Sequence, residues 1–191
     1  MAKVIAFCGA HGTGKSTIVS ELRKDPRCIC IDSVTRTQTS QAERRIDRRL
    51  KDLDQTQLNI LEAIKANAEK IRELKESLPD DKILVMDRSS FDFYAYSKNF
   101  FVKNLLTHRT MNEIEDELPN LVDFIDLFYY LPIEFNLVDD GIRNMDEDLR
   151  KGVDKVIREQ LFWTGRTVEL NGTLQKRMSK IHTTLLGKLK V

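Results

Sequence analysis

Chemistry is concentrated near the start of the chain. Gly9-Ala10-His11-Gly12-Thr13-Gly14-Lys15-Ser16 fills the pattern G-x-x-x-x-G-K-[ST] without a substitution. Glycines at these spacings let successive backbone N–H groups turn inward, and the helical pattern that follows over Thr17–Arg23 adds a positive helix end, so the stretch is built to cradle phosphates. In that arrangement Lys15 reaches the β- and γ-phosphates of a nucleoside triphosphate and the Ser16 hydroxyl ligates Mg²⁺. The whole run Gly9, Ala10, His11, Gly12, Thr13, Gly14, Lys15, Ser16 and Thr17 is therefore the expected ATP-binding segment. His11 occupies a free position of the pattern, and its side chain receives no role.

Two more carboxylates stand where a sheet would bring them to the same place. Cys28-Ile29-Cys30-Ile31 and Ile83-Leu84-Val85-Met86 are apolar runs closed by Asp32 and Asp87. Either aspartate could hold and deprotonate an acceptor hydroxyl; Asp87 could also hold Mg²⁺ together with Ser16. Arg88 and Arg36 have the chemistry of clamps for acceptor phosphate or substrate. Asp92 is readable either as a substrate ligand or as a charge at a helix N-terminus. A GTPase would want glycine where Ser90 stands, and an Asn-Lys-x-Asp guanine reader, which the sequence lacks. That class is set aside.

These groups need a scaffold. Residues 3–8 read as a strand leading into the loop, and residues 27–32, 82–87, 126–131 and 166–170 as four more. Between them lie helical patterns: one after the loop, a long charged one over 41–78, then 91–106, 111–118, 146–162 and 173–189. Strands alternating with helices predict a five-stranded parallel sheet with helices on both faces, a three-layer α/β fold whose ligands gather at the carboxyl ends of the strands. Ile46, Leu50, Leu53, Leu58, Leu61, Ile64, Ala68, Ile71, Leu74 and Leu78 form the apolar stripe of the long helix. That stripe serves the core, with contact to a second copy of the chain as the sharper reading. Tyr94 and Tyr96 read as core.

Asp87-Arg88-Ser89-Ser90-Phe91-Asp92-Phe93-Tyr94-Ala95-Tyr96 resembles the Asp-Arg segment of P-loop nucleoside and nucleotide kinases, in the detail D-R-x-x-x-D-x-x-A-Y the ribosylnicotinamide-kinase-like AAA branch. Asp32-Ser33-Val34-Thr35-Arg36 stands where that branch has an acidic residue, usually glutamate, and an arginine four on. Asp140-Gly141-Ile142-Arg143 resembles its arginine-bearing lid, over about 133–150, and Asn171-Gly172-Thr173 with Arg177 its turn near the adenine. The resemblance implies one P-loop kinase domain over 1–191, with a helical acceptor-side insertion at about 40–79 and a mobile lid. It implies ATP and Mg²⁺, and Lys15, Asp32, Asp87, Arg88 and Arg143 as the catalytic set, with Arg150 as a second lid arginine or a surface ion pair. It implies a nucleoside or nucleotide as the acceptor. One alternative is 5-hydroxymethyluracil in DNA, as in phage enzymes of this kind, and another is a non-catalytic ATP-binding switch.

Bulk properties agree with this frame. The chain has 191 residues with 31 basic and 30 acidic groups, a net +1 that gives no global pull toward nucleic acid or membrane. Arg44, Arg45, Arg48 and Arg49 are basic but interleaved with acids. Cys8, Cys28 and Cys30 are an odd number at burial-prone positions, which suits reduced thiols, and Cys-x-Cys alone is a poor metal site. No run is apolar and long enough to span a bilayer, so a soluble intracellular protein is expected.

Overall fold

Alternation of buried side chains along β1 (Lys3–Cys8) places it in the middle of the molecule: Val4, Ala6 and Cys8 face one way and Ile5 and Phe7 the other, all buried. The computed structural model describes residues 1–32, 50–136 and 146–186. In it β1 lies between β3 (Ile83–Asp87) and β4 (Leu127–Tyr130), with β2 (Cys28–Ile31) and β5 (Thr167–Glu169) at the edges. The order is β2-β3-β1-β4-β5 and every neighbouring pair is parallel.

Two cores sandwich this sheet. On one face Leu84, Met86, Phe128 and Tyr130 join the even residues of β1 and pack under α2 (Leu50–Ser77), α3 (Ser90–Val102), α4 (His108–Glu117) and α5 (Glu147–Thr164). On the other, Ile83, Val85, Tyr129 and Leu131 pack against Ile18, Val19 and Leu22 of α1 (Lys15–Leu22) and Ile181 and Leu185 of α6 (Leu174–Leu186). Burial on both faces is what a parallel sheet requires, and it explains why β1 and β3 are continuous apolar runs. The expected three-layer α/β fold is the observed one.

Differences from the sequence reading are local. The described part of the long helix is Leu50–Ser77, residues 33–49 lying outside the described residues. Its buried stripe is Gln57, Ile60, Leu61, Ile64, Ala68 and Ile71, so Ile60 and not Leu58 faces inward, and the stripe is spent on the chain's own core. Buried Gln57 is there because it accepts from the buried Ser97 hydroxyl at 3.0 Å, joining α2 to α3. The helix expected over 91–106 ends earlier, at Val102. No helix among the described residues is long and apolar enough to cross a membrane. All three cysteines are free thiols.

Helices α3 and α5 meet so closely at Gly152 that a Cβ there would come within 2.2 Å of Asn99 Oδ1. Asn99 is itself held by donating to the Ala95 carbonyl at 2.8 Å. We expect Gly152→Ala to lower the unfolding free energy by about 1–3 kcal/mol, the usual cost of overpacking. Urea titration should also show most of that loss recovered in an Asn99→Ala background.

Candidate active site

Register brings the pieces to one sheet edge. Phe7 pairs with Asp87 and Ile31 with Met86, so the glycine loop, Asp87 and Asp32 all emerge at the carboxyl ends of neighbouring strands. At Gly9, φ is +149° and a Cβ would meet the Leu131 carbonyl oxygen at 2.5 Å, so only glycine lets the loop pass β4. Gly14, also at positive φ, opens α1 with no side-chain cap, which leaves the helix N-terminus to an anion.

Within the loop Lys15 is folded back. Its Nζ donates to the Gly9 carbonyl at 2.5 Å and to Ala10 at 2.7 Å, and lies 3.9 Å from Asp92 Oδ1. Burial lowers its pKa to about 8, Arg88 adding to the shift and Asp92 and Asp87 opposing it. The ammonium thus sits inside the cradle on partners that phosphate oxygens can replace. Beside it the Ser16 hydroxyl donates to Asp87 Oδ2 at 3.0 Å. These two oxygens fit a hard divalent cation. Among the described residues no cluster of three or more His, Cys, Asp or Glu could hold a metal by itself. A cation here would take most of its ligands from phosphate and water, as magnesium does.

Asp92 takes the second of its two expected parts, a charge at a helix N-terminus. It is the third residue of a capping box: Ser89 Oγ accepts from the Phe91 amide at 3.1 Å, while Asp92 Oδ2 accepts from the Ser89 amide at 3.0 Å. Its other oxygen accepts from the Gly9 amide at 3.2 Å. Burial pushes its carboxyl up, against the pull of Lys15, Arg88 and those amides. Both oxygens are engaged with the protein, so Asp92 braces α3 against the loop. Arg88, just before the box, has φ +94°, a costly backbone for a non-glycine residue. Burial works against its charge, but Tyr96, Asp92 and Asp87 more than offset it and its pKa is raised.

Of the other expected residues, Asp32 and Arg150 are engaged by partners within the protein. Asp32 ends β2 on the surface, its side chain 82% exposed and ion-paired with Arg23 of the α1 C-terminus. Arg36 and Arg143 lie outside the described residues. Arg150 is neither a free lid arginine nor a surface pair. It is 1% exposed and donates to the carbonyls of His11 at 3.1 Å and Phe135 at 2.9 Å and to Glu147 at 3.1 Å. Arg177 likewise donates to the Thr13 carbonyl and to Glu134, each at 2.6 Å. Neither Glu134 nor the contact of His11 with Tyr96, Nδ1 to hydroxyl at 2.8 Å, was found from the sequence. Ser89-x-x-Asp92 was a visible capping signal; the other pairings join residues far apart in the chain and left no local signal.

The model of the AAA domain family matches residues 4–177. The chain belongs to that family. Among solved structures, deoxyadenosine kinase from M. mycoides with the products dCMP and dCDP is similar over 96% of this chain and 99% of that one, with a TM-score of 0.69 at 16% identity. NadR protein in complex with NR gives 0.64 at 19% identity over 90% of this chain and 46% of that one. NadR in complex with NAD and AMP-PNP gives 0.64 at 15% identity over 100% and 51%. The chain spans about half the length of those NadR chains. No curated protein matches the sequence. The likeness shows that the chain shares the fold of these kinase structures, the three-layer fold expected from the sequence.

If Asp92 braces the loop, Asp92→Ala leaves the Gly9 and Ser89 amides without their acceptor and the buried Lys15 ammonium without its counter-charge. We expect a loss of about 3 kcal/mol in unfolding free energy by urea titration, with Asp92→Asn recovering part of it.

Proposed function

We propose that this AAA-domain chain, acting as one domain over residues 1–191, is an ATP-dependent kinase of a nucleoside- or nucleotide-type acceptor. The observation that carries the reading is the Ser16 hydroxyl donating to Asp87 at 3.0 Å inside a loop whose lysine is already buried. A sensor of ATP needs the loop; a transferase also needs a charge-neutralising pair and an acceptor side, and Asp32 and Arg88 supply groups for the latter. The solved nucleoside-kinase structures of the same fold support the acceptor class, by analogy of fold.

In this reading Lys15 exchanges the Gly9 and Ala10 carbonyls for the β- and γ-phosphate oxygens of ATP, and the loop amides and the α1 N-terminus take up the remaining charge. Ser16 and Asp87 would hold Mg²⁺, which supplies charge neutralisation across the β- and γ-phosphates. Asp87, engaged toward Ser16, is the metal-side carboxylate, which leaves Asp32 as the base. The acceptor oxygen attacks the γ-phosphorus, the bond from that phosphorus to the β–γ bridging oxygen breaks, and ADP leaves. The acceptor proton passes to Asp32, which must first part from Arg23. Arg88, oriented by its strained backbone, would bind the acceptor side, and Arg36 and Arg143 keep the acceptor and lid roles that the resemblance implies.

Transfer of radiolabelled γ-phosphate with Mg²⁺ across nucleosides, deoxynucleoside monophosphates, ribosylnicotinamide and duplex DNA with or without 5-hydroxymethyluracil tests this directly. Label should reach a free nucleoside or nucleotide; label on DNA alone, or on nothing while ATP still binds, overturns the acceptor class or the kinase reading. Lys15→Ala, Asp32→Asn and Asp87→Asn should each lower turnover more than tenfold, roughly 1.4 kcal/mol in the barrier. Asp32→Asn should leave ATP affinity within about twofold, because a base acts in the transition state and not in donor binding.

A further inference from the structure

Two residues on one face of α3 grip the phosphate loop. Asp92 and Tyr96 are four apart, hence on the same side of the helix, and they reach Gly9 and His11, two apart along the loop. Tyr96 begins lower on α3, but helical side chains lean toward the N-terminus, which carries its hydroxyl back to the loop and to within 2.8 Å of His11 Nδ1. The other side of His11 is also held, since the buried Arg150 donates to its carbonyl at 3.1 Å. A position that the loop pattern leaves to any residue is thus fixed through both its ring and its backbone. Arg88 is a further neighbour of the same phenol.

We propose that Tyr96 is a positioning residue that holds the crest of the phosphate loop, through His11, in register with the helix that follows the acceptor arginine Arg88. Donor phosphates and acceptor then share one rigid frame. The inference rests on the kinase reading above and adds to it how the two substrates are kept at transfer distance. Removing the hydroxyl leaves Lys15 and the loop amides to bind ATP but lets the loop shift against α3. A misplaced γ-phosphate is a poor partner for the acceptor, yet water can still reach it from any side.

The test is the partition of ATP between transfer and hydrolysis in Tyr96→Phe, His11→Ala and the double variant, on the acceptor of the panel that takes the most label. Each single change should lower kcat for transfer about tenfold, leave AMP-PNP affinity within about twofold and raise the fraction of phosphate released to water. The double variant should be no worse than either single one, because one bond is lost in all three. Additive losses, or a wild-type partition ratio with the lower kcat explained by a fall in Tm, make Tyr96 merely a packing residue and overturn the proposal. If wild type transfers normally while Tyr96→Phe partitions like it, only the coupling fails. If wild type binds AMP-PNP but transfers to no acceptor, the kinase reading fails and this inference with it. The ring 15N signals of His11, one of 3 histidines, should move on Tyr96→Phe; no movement excludes the bond.

Discussion

A lysine ammonium buried beneath a glycine loop sets the terms for everything around it. Taking a charge out of water is costly unless it is paired and hydrogen-bonded. Lys15 is 5% exposed, and it meets that requirement with two carbonyls of its own loop and a carboxylate 3.9 Å away. The carboxylate belongs to α3, so α3 has to start within reach of the loop, and the residue before its cap has to turn sharply out of β3. The left-handed Arg88 is the consequence: φ +94° lets Ser89 become the N-cap and Asp92 the third residue of the box. Strain at Arg88 and burial of Lys15 are two ends of one constraint.

The sheet makes that proximity possible. With β1 central and β3 its neighbour, the loop and the Asp-Arg segment leave adjacent strands in register, Phe7 opposite Asp87. A sheet in chain order would have put β2 between them and carried the second carboxylate away from Ser16. The crossover that allows this order is made by α2, whose buried stripe from Gln57 to Ile71 packs on the same face as α3, α4 and α5. Helices α1 and α6 close the opposite face, which sets Arg177 of α6 against the loop.

Much of this could be read from the residue string, and what could not be read has a common cause. Gly9 to Ser16 announces its conformation because glycines at fixed spacing have few uses other than a phosphate cradle. The strands announce themselves by apolar runs that both faces of a parallel sheet demand. Asp87 and Asp32 could be placed on the edge from topology alone. The sequence did not disclose which carboxylates serve ligands and which serve the protein. Asp92 and Asp87 are the same residue type five positions apart, yet one is consumed by a helix cap and two loop contacts and the other faces Ser16. That difference is decided by backbone direction at Arg88, a tertiary fact. The same holds for His11 and Tyr96, which pair across 85 positions.

Two buried arginines hold the loop from outside. The resemblance made Arg150 a second lid arginine or a surface ion pair and set Arg177 with the turn near the adenine. Arg150 and Arg177 instead spend their donors on the carbonyls of His11 and Thr13, and both are buried. A trans peptide is planar, with its N–H pointing opposite to its C=O. Drawing the His11 and Thr13 carbonyls outward onto guanidinium groups therefore turns the amides of Gly12 and Gly14 the other way, into the loop. Glycine supplies the permission for that conformation, and the two arginines, from helices far along the chain, supply the force that selects it. An anion cradle assembled this way is shaped before any phosphate arrives, and its preorganisation depends on residues that need never touch the ligand.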